Sequence, residues 1–238
     1  MPYGHASQDG PCKSQGEALL TMHNRWLGLL AVVTLTTACA QAAPAHKTTA
    51  TYDPKTGKLQ TLSVDANGNG TIDTVSYMEG AQIARIEVDQ NEDGKVDRWD
   101  FYSGRRLERV GASSQNDGIM DRVSVYDVQG IVVRIEVSTR CDGRFDHIEY
   151  FTAGRMVRSA DDTDGDGRPD KWDEYALASV TPDGAPHYTI VATSVDDAGR
   201  GRPSRRFVYG TGGAISRVEV DANGDGVFRP VPTAAPAH

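Results

Sequence analysis

The 238-residue sequence has few cysteines, few aromatic residues and no excess of positive charge. Three cysteines cannot form a disulfide framework, so the chain is not a small cysteine-stapled domain. Hydrophobic residues make up 38% and aromatic residues 7% of the chain, which is sufficient only for a modest core. The formal net charge of -8 provides no basic surface for phosphate groups, so we expect no nucleic-acid partner.

The sequence also lacks the motifs of common enzyme sites: a G-x-S-x-G nucleophile turn, a P-loop and an H-E-x-x-H zinc motif. Only His147 and His187 lie in the central region, and we place His147 on an exposed strand face. Cys141 reads as a lone thiol, either reactive or a neutral substitution. We therefore expect a protein that is not an enzyme.

Glycine, by contrast, is abundant, with 25 residues, and it clusters with Asp and Asn in short polar segments. The most regular segment reads DTDGDGRPD at residues 162–170. Its acidic residues stand at positions 1, 3, 5 and 9, with glycine at position 6, which is the spacing of an EF-hand-type calcium loop. The glycine permits the sharp turn that brings alternate side chains around a hard cation.

This loop recurs along the chain. Its position-6 glycines are Gly70, Gly94, Gly118, Gly143, Gly167, Gly201 and Gly226, at steps of 24, 24, 25, 24, 34 and 25 residues. We number the copies loops 1 to 7, for residues 65–73, 89–97, 113–121, 138–146, 162–170, 196–204 and 221–229. A fixed period of this length is typical of a repeat architecture.

The segments between loops predict strands. After each loop apolar residues alternate, as at Trp99 and Phe101, and a Gly-bearing turn precedes a second alternating run. Only about 15 residues separate successive loops, too few for the two helices of an EF-hand. The long step predicts an extended hairpin with strands near 175–180 and 188–195. We predict an all-β fold of tandem antiparallel hairpin repeats of about 24 residues, forming a twisted, curling meander sheet.

Charge pattern suggests a register for these strands. If the residue before loop position 1 lies opposite position 9, Ile86 faces Trp99 on the inner side and Arg85 faces Asp100 on the outer side. Position 12 of a loop, as at Asp100, Glu149 and Asp173, then holds either an arginine partner or a metal ligand.

Positions 1, 3, 5 and 9, with the backbone carbonyl of position 7, define the candidate ligand sets. Loop 5 offers Asp162, Asp164, Asp166, Arg168 and Asp170; loop 2 offers Asp89, Asn91, Asp93, Lys95 and Asp97; loop 1 offers Asp65, Asn67, Asn69, Thr71 and Asp73; loop 7 offers Asp221, Asn223 and Asp225, because Arg229 stands at its position 9. Loops 3, 4 and 6 are eroded. We expect Ca²⁺ in the best loops, bound weakly, with a Kd on the order of 10⁻⁴ to 10⁻³ M, and in a structural role. The alternative is that Asp, Asn and Gly form turns without metal.

The N-terminal region indicates export. Residues 22–39 contain a basic start at Arg25, an apolar run at 26–35 and small residues before Cys39, which is the layout of a signal peptide. Residues 1–21 then precede the true start. Residues 40–49 form a tether, 50–228 the repeat domain with seven loops, and 229–238 a disordered tail.

The residues before Cys39 resemble the lipobox of bacterial lipoproteins, which implies that Cys39 is lipidated and that the membrane is a partner. The alternative is a plain secretory signal cleaved near Ala38 or Ala43. Ala40 resembles the sorting preference for the outer membrane, so the resemblance implies the outer membrane of a Gram-negative bacterium.

The repeat itself resembles three groups of proteins. The loop is similar to that of integrin-type FG-GAP repeats, whose period is far longer. The unit with Trp99, a glycine turn and Arg109 resembles repeat lipoproteins of Gram-negative bacteria and YD-type hairpin repeats. These resemblances imply an exported, calcium-associated repeat protein and no particular activity. We expect a non-catalytic binding or scaffold module of the cell envelope with an unidentified partner. The alternatives are a ligand- or sugar-binding protein or an envelope enzyme that uses the aromatic sheet face, and a metal-free structural repeat protein.

Overall fold

A computed structural model describes residues 47–182 and 184–231. The predicted signal segment with Cys39, the residues before it and most of the predicted tail lie outside the described residues. The first strand begins at Lys47, inside the expected tether, and Arg229–Pro230 forms the last strand. No helix in the described ranges is long and apolar enough to cross a membrane.

Every regular element in the described residues is a β-strand. The strands are β1 (Lys47–Tyr52), β2 (Leu59–Asp65), β3 (Thr74–Glu79), β4 (Gln82–Val88), β5 (Arg98–Ser103), β6 (Arg106–Ala112), β7 (Arg122–Tyr126), β8 (Val132–Val137), β9 (His147–Thr152), β10 (Arg155–Asp161), β11 (Lys171–Val180), β12 (Pro186–Val195), β13 (Arg205–Tyr209), β14 (Ile215–Val220) and β15 (Arg229–Pro230). They divide into two compact units, one ending at Met120 and one beginning at Asp121. Within each unit the strands are antiparallel and follow chain order, which confirms the predicted hairpin meander.

The hairpins alternate between two kinds of connection, the nine-residue loops and the short glycine turns. Gly80, Gly104 and Gly154 have φ of 64°, 63° and 73° in the short turns, a conformation that other residues rarely adopt. A β-bulge precedes these turns, for example between Phe101 and Tyr102. The extended hairpin of β11 and β12 is present as predicted, with ten residues in each strand.

The predicted register is wrong by one residue. Arg85 lies opposite Phe101, Ile86 opposite Asp100 and Glu87 opposite Trp99. The shift arises because loop 2 closes one residue later than expected: Asp97 N–H donates to the carbonyl of Val88 at 2.8 Å, and the residue opposite Val88 is Arg98. The same offset recurs across loop 4, where Ile135 lies opposite Glu149. Because a one-residue slip exchanges the faces of a strand, charged and aromatic side chains share one side of the sheet.

Arginine side chains cover the aromatic rings on that shared side. The Cζ of Arg85 lies 4.3 Å from the ring centroid of Tyr77, and that of Arg109 lies 4.6 Å from the centroid of Phe101. Arg85 also contacts a charged partner two residues away on its own strand, Glu87, at 3.1 Å. On this face the rings are thus covered by long side chains of the sheet itself.

The buried apolar residues of the described chain lie in the second unit: Val123, Val137, Ala160, Trp172 and Ala192. Polar residues are buried in both units, including Ser76 and Asp97 in the first. A sheet with so little apolar burial depends on hydrogen bonding and on side-chain pairs across strands for its order.

Candidate cation loops and a buried polar network

Side chains at positions 1, 3 and 5 fold each candidate loop by accepting backbone N–H groups. Position 1 carboxylates accept from the position-6 glycine at 2.8, 2.8, 2.8 and 2.9 Å in Asp65, Asp89, Asp162 and Asp221. Position 3 accepts from position 5 at 3.0, 3.0 and 3.1 Å in Asn67, Asn91 and Asp164. The position-5 side chain accepts the backbone N–H of position 7 in all four loops. The bonds are Thr71 to Asn69 at 2.8 Å, Lys95 to Asp93 at 2.9 Å, Arg168 to Asp166 at 2.8 Å and Val227 to Asp225 at 2.9 Å. Because a carboxylate has about four acceptor sites and an amide oxygen has two, each side chain keeps a lone pair for a cation.

Loop 5 brings three carboxylates together. Asp162, Asp164 and Asp166 each offer an oxygen, and these atoms all lie within 4.8 Å of one another. Desolvation acts to raise the pKa of Asp162, but the N–H groups of Gly167 and Gly165 outweigh it and hold the pKa below its ordinary value. Asp162 is therefore ionised at neutral pH, and three negative charges meet in a space that a divalent cation fits.

The position-9 carboxylate accepts hydrogen bonds from the start of its own loop. The carboxylate of Asp170 accepts the hydroxyl of Thr163 at 2.8 Å and the N–H of Asp164 at 3.2 Å. In loops 1 and 2, Asp73 and Asp97 each accept the N–H of position 2 at 2.8 Å. The position-9 carboxylate thus closes the loop, and the cluster of ligand atoms in loop 5 consists of positions 1, 3 and 5.

Position 4 of the loops has a defined backbone conformation that the spacing of the ligand residues did not predict. It has positive φ in all seven loops, at Gly68, Glu92, Asn116, Cys141, Gly165, Gly199 and Gly224. Glu92 adopts a φ of 61° and turns its carboxylate onto the side-chain amides of Asn67 and Asn69 in loop 1. An acidic group thus lies against the two amide positions of loop 1. The signal in the sequence is the glycine that fills position 4 in four of the seven loops.

Successive loops are joined by backbone hydrogen bonds. The first residue of one loop donates its N–H to the carbonyl of the ninth residue of the loop before it. These bonds are Asp89 to Asp73 at 2.8 Å, Ser113 to Asp97 at 2.8 Å, Ser138 to Asp121 at 2.7 Å, Asp162 to Asp146 at 2.9 Å, Asp196 to Asp170 at 2.8 Å and Asp221 to Ser204 at 2.9 Å. We call this series the loop ladder. One such bond occurs in each period, so the loops of a unit lie side by side at the same end of the strands.

Long side chains at position 7 also reach the following loop. Lys95 Cβ lies 3.3 Å from the place that a Cβ on Gly118 would take, and Arg168 Cδ lies 3.6 Å from the corresponding place at Gly201. Between loops 5 and 6 a cleft of about 430 Å³ is lined by residues that include Asp164, Asp166, Arg168 and Asp196. The cleft opens beside the three clustered carboxylates of loop 5.

A polar network crosses β9 to β12 in the second unit, formed by His147, Glu149, Asp161, Lys171, Asp173 and Thr193; we call it the His147 network. His147 Nδ1 lies 2.6 Å from Asp161 Oδ1, and Lys171 Nζ lies 2.6 Å from Asp173 Oδ2. Thr193 Oγ1 donates to Asp173 Oδ1 at 2.6 Å. The expectation that His147 is exposed is wrong, since only 9% of its surface is accessible. The side chain contacts Asp161, which lies opposite it on β10, and Glu149 of its own strand.

Three carboxylates of this network surround two cationic side chains, His147 and Lys171. Burial acts to lower the pKa of His147, but Asp161 and then Glu149 outweigh it and raise the pKa to about 9. The position-12 residues Glu149 and Asp173 contact His147 and Lys171 of their own strands, and Asp100 contacts Arg98 at 2.7 Å. These carboxylates therefore bind cationic side chains of their own strands, at the positions for which we had kept metal ligation as an alternative.

Cys141 is disulfide-bonded, so the interpretation of this residue as a lone thiol is wrong. It occupies position 4 of loop 4 with a φ of 57°.

No family model matches the sequence, and no curated protein matches it. Among solved structures, the chain is similar to one described as accessory secretory protein 1, 2 and 3 in Streptococcus pneumoniae, at 14% identity and a TM-score of 0.33. The match covers 55% of this chain and 23% of that chain.

Proposed function

We propose that this chain is a non-catalytic binding or scaffold module of the bacterial cell envelope whose hairpin repeats are stabilised by calcium. The observation that carries the calcium part is the convergence of Asp162, Asp164 and Asp166, whose oxygens lie within 4.8 Å. Calcium prefers carboxylate, amide and carbonyl oxygens; loops 1 and 2 offer all three, and loop 5 offers carboxylates and backbone carbonyls. In loop 5 the cation would offset the repulsion among carboxylates that the loop holds together.

Calcium in these loops would stabilise rather than switch the fold. Each loop connects two paired strands and is joined to its neighbour through the loop ladder. A cation bound only in the folded state adds to the free energy of unfolding by mass action. For a Kd of about 10⁻³ M, 10 mM calcium adds about 1.4 kcal/mol per loop.

Calorimetry of the purified protein tests this part. We expect the melting temperature to rise by a few °C from 1 mM EDTA to 10 mM calcium, because about 1 kcal/mol shifts a domain of this size by that amount. Magnesium at the same concentration serves as the control and gives a smaller rise, since it requires tighter octahedral geometry. Equal melting temperatures in EDTA and calcium would remove the calcium proposal.

Lipid anchoring at Cys39 is the second part of the proposal and is supported by the sequence pattern of residues 22–39. In a Gram-negative host, we expect the wild-type protein in the membrane pellet and a Cys39→Ser variant in the soluble fraction. Mass spectrometry of the mature N-terminus then separates the alternatives. A diacylated or triacylated Cys39 supports the anchor, and an unmodified N-terminus at Cys39 or near Pro44 supports a secretory signal.

A further inference from the structure

The oxygens of loop 7 contact an arginine side chain of the same loop, Arg229. Arg229 holds position 9, where loops 1, 2 and 5 have an aspartate. Its Nη2 lies 2.8 Å from Asp225 Oδ2 and its Nη1 lies 3.2 Å from Asp225 Oδ1, so the guanidinium binds both carboxylate oxygens. Nη1 also donates to the carbonyl of Val227 at 3.0 Å.

These acceptors are the groups that a bound cation would use. Asp225 is position 5 of loop 7, whose side chain is a ligand in an EF-hand-type loop, and Val227 is position 7, which contributes its backbone carbonyl. The guanidinium therefore contacts two of the oxygen groups around which a calcium ion would bind. A planar fork of donors suits a carboxylate better than a point charge does. Consistent with this contact, Arg229 holds the pKa of Asp225 far below its ordinary value.

A second arginine approaches loop 7 from its neighbour. Arg202, at position 7 of loop 6, donates from Nη1 to the carbonyl of Gly224 at 2.9 Å. Two positive groups thus lie on loop 7, and a divalent cation there would be repelled by both. In loop 5 the guanidinium of Arg140 also lies beside position 4, Gly165. The carboxylates of loop 5 differ from Asp225, because the ion pairs among residues 47–182 and 184–231 include none to Asp162, Asp164 or Asp166.

We propose that Arg229 is the built-in cation of loop 7, so that this loop is closed by the chain's own guanidinium and takes no calcium. Loop 4 shows a related replacement. There Arg140, at position 3, contacts the position-9 carboxylate of Asp146 at 3.2 Å. The inference deepens the proposed function, since it divides the repeat into calcium-dependent and calcium-independent loops, and it rests on that function for its contrast between loops.

Hydrogen exchange of the purified full chain, resolved by residue, tests the proposal first in EDTA. We expect Arg229→Met to speed exchange of the Val227 amide, which donates to Asp225, by about tenfold. Arg105→Met is the matched control, because Arg105 is exposed in a short turn of the first unit. Unchanged exchange at Val227 in Arg229→Met would overturn the proposal, whatever calcium does elsewhere.

The second measurement adds 10 mM calcium. In the wild type we expect protection at Gly167 of loop 5 and none at Gly226 of loop 7. Arg229→Asp gives loop 7 the position-9 carboxylate of the other loops and should gain calcium-dependent protection at Gly226. Arg105→Asp makes the same change in charge and should gain none there.

Three results with calcium are decisive. Protection of Gly226 in the wild type would overturn the proposal, because the guanidinium would then not exclude calcium. The proposal would also be overturned if calcium protected Gly167 but not Gly226 in Arg229→Asp, or in Arg202→Met/Arg229→Asp, the variant that lacks both arginines. Absence of protection at Gly167 in the wild type rejects the proposed calcium function instead, and the exchange of Val227 in EDTA still decides the role of Arg229.

Discussion

The guanidinium of Arg85 lies over the ring of Tyr77, with 4.3 Å between Cζ and the ring centroid. Tyr77 in turn donates its hydroxyl to Glu87 at 2.7 Å, and Glu87 contacts Arg85 at 3.1 Å. The three side chains form a closed triangle on two paired strands of the first unit. Such a triangle orders one sheet face without a covering layer, because each charged group is bound and the arginine stem covers the ring.

A double-mutant cycle of Arg85→Met and Tyr77→Leu measures this contact. We expect a coupling energy of about 0.5 to 1 kcal/mol from urea unfolding, the range of partly exposed cation–π pairs. The matched cycle pairs Arg85→Met with Asp100→Asn, residues that the observed register places on opposite sides of the sheet. That second cycle should give coupling within about 0.3 kcal/mol of zero. Strong coupling of Arg85 with Asp100 would support the register expected from charge pairing instead.

The pH dependence of stability should report on His147. A histidine whose folded pKa is about 9, raised from 6.5, contributes stability that is complete below pH 6.5 and is lost as the pH rises through 9. The loss is on the order of 2 kcal/mol, and Lys171, whose pKa is raised, stays charged over this range. Urea unfolding of the wild type at pH 6 and pH 9 measures it.

Two histidine variants separate this effect from general alkaline destabilisation. His147→Gln should lower stability at pH 6 and remove most of the difference between pH 6 and pH 9. His187→Gln changes an exposed histidine and should leave that difference as in the wild type. A wild type that is equally stable at both pH values contradicts the assignment.

Asp166→Ala should remove the calcium response of loop 5. The matched control is Asp142→Ala, because both carboxylates hold position 5 and accept the N–H of position 7, at 2.8 and 2.9 Å. In EDTA Asp166→Ala should lose less melting temperature than Asp142→Ala, because it also removes one of the three carboxylates that repel each other in loop 5. In calcium the wild type and Asp142→Ala should gain more than Asp166→Ala does. An equal calcium gain in all three proteins would show that loop 5 is not a calcium site.

Gly94→Ala tests the conformation of position 6. Gly94 has a φ of 86°, and a Cβ there would meet no atom within 4 Å, so the cost is one of backbone conformation alone. We expect a loss of about 1 to 2 kcal/mol in the free energy of unfolding. Gly94→Asn is the matched variant and should lose less, since asparagine tolerates positive φ better than alanine does. An alanine variant with full stability would contradict the left-handed turn.

Sequence patterns were sufficient for the elements and insufficient for their register. Alternation at Trp99 and Phe101, and glycine at fixed intervals, predicted the strands, the hairpins and the loops correctly. Opposite charges did not give the register, because Arg98 contacts Asp100 on its own strand at 2.7 Å, so such residues satisfy each other in more than one alignment. The alignment is decided by the backbone bond that closes each loop, which no side-chain pattern records.

The candidate site was likewise predicted in part. The spacing of Asp162, Asp164 and Asp166 correctly indicated three carboxylates that converge. The contact of Glu92 with loop 1 was missed, since it depends on a positive φ at a residue that is not glycine. The burial of His147 was missed because it depends on contacts with Asp161 of the next strand and with Glu149 of its own strand.

The loop ladder limits where the chain can change in length. The step from Gly167 to Gly201 is 34 residues, against 24 or 25 elsewhere, yet Asp196 still bonds Asp170 at 2.8 Å. The additional residues lengthen β11 and β12 toward the turn at Thr181 and Ala185, away from the loops. Insertions at hairpin tips therefore leave the order of the loops intact, whereas one residue added within a loop would disturb the pairing of the two strands that it joins and its bonds to the adjacent loops. Variants that gain or lose length should be tolerated as whole periods or at the tips.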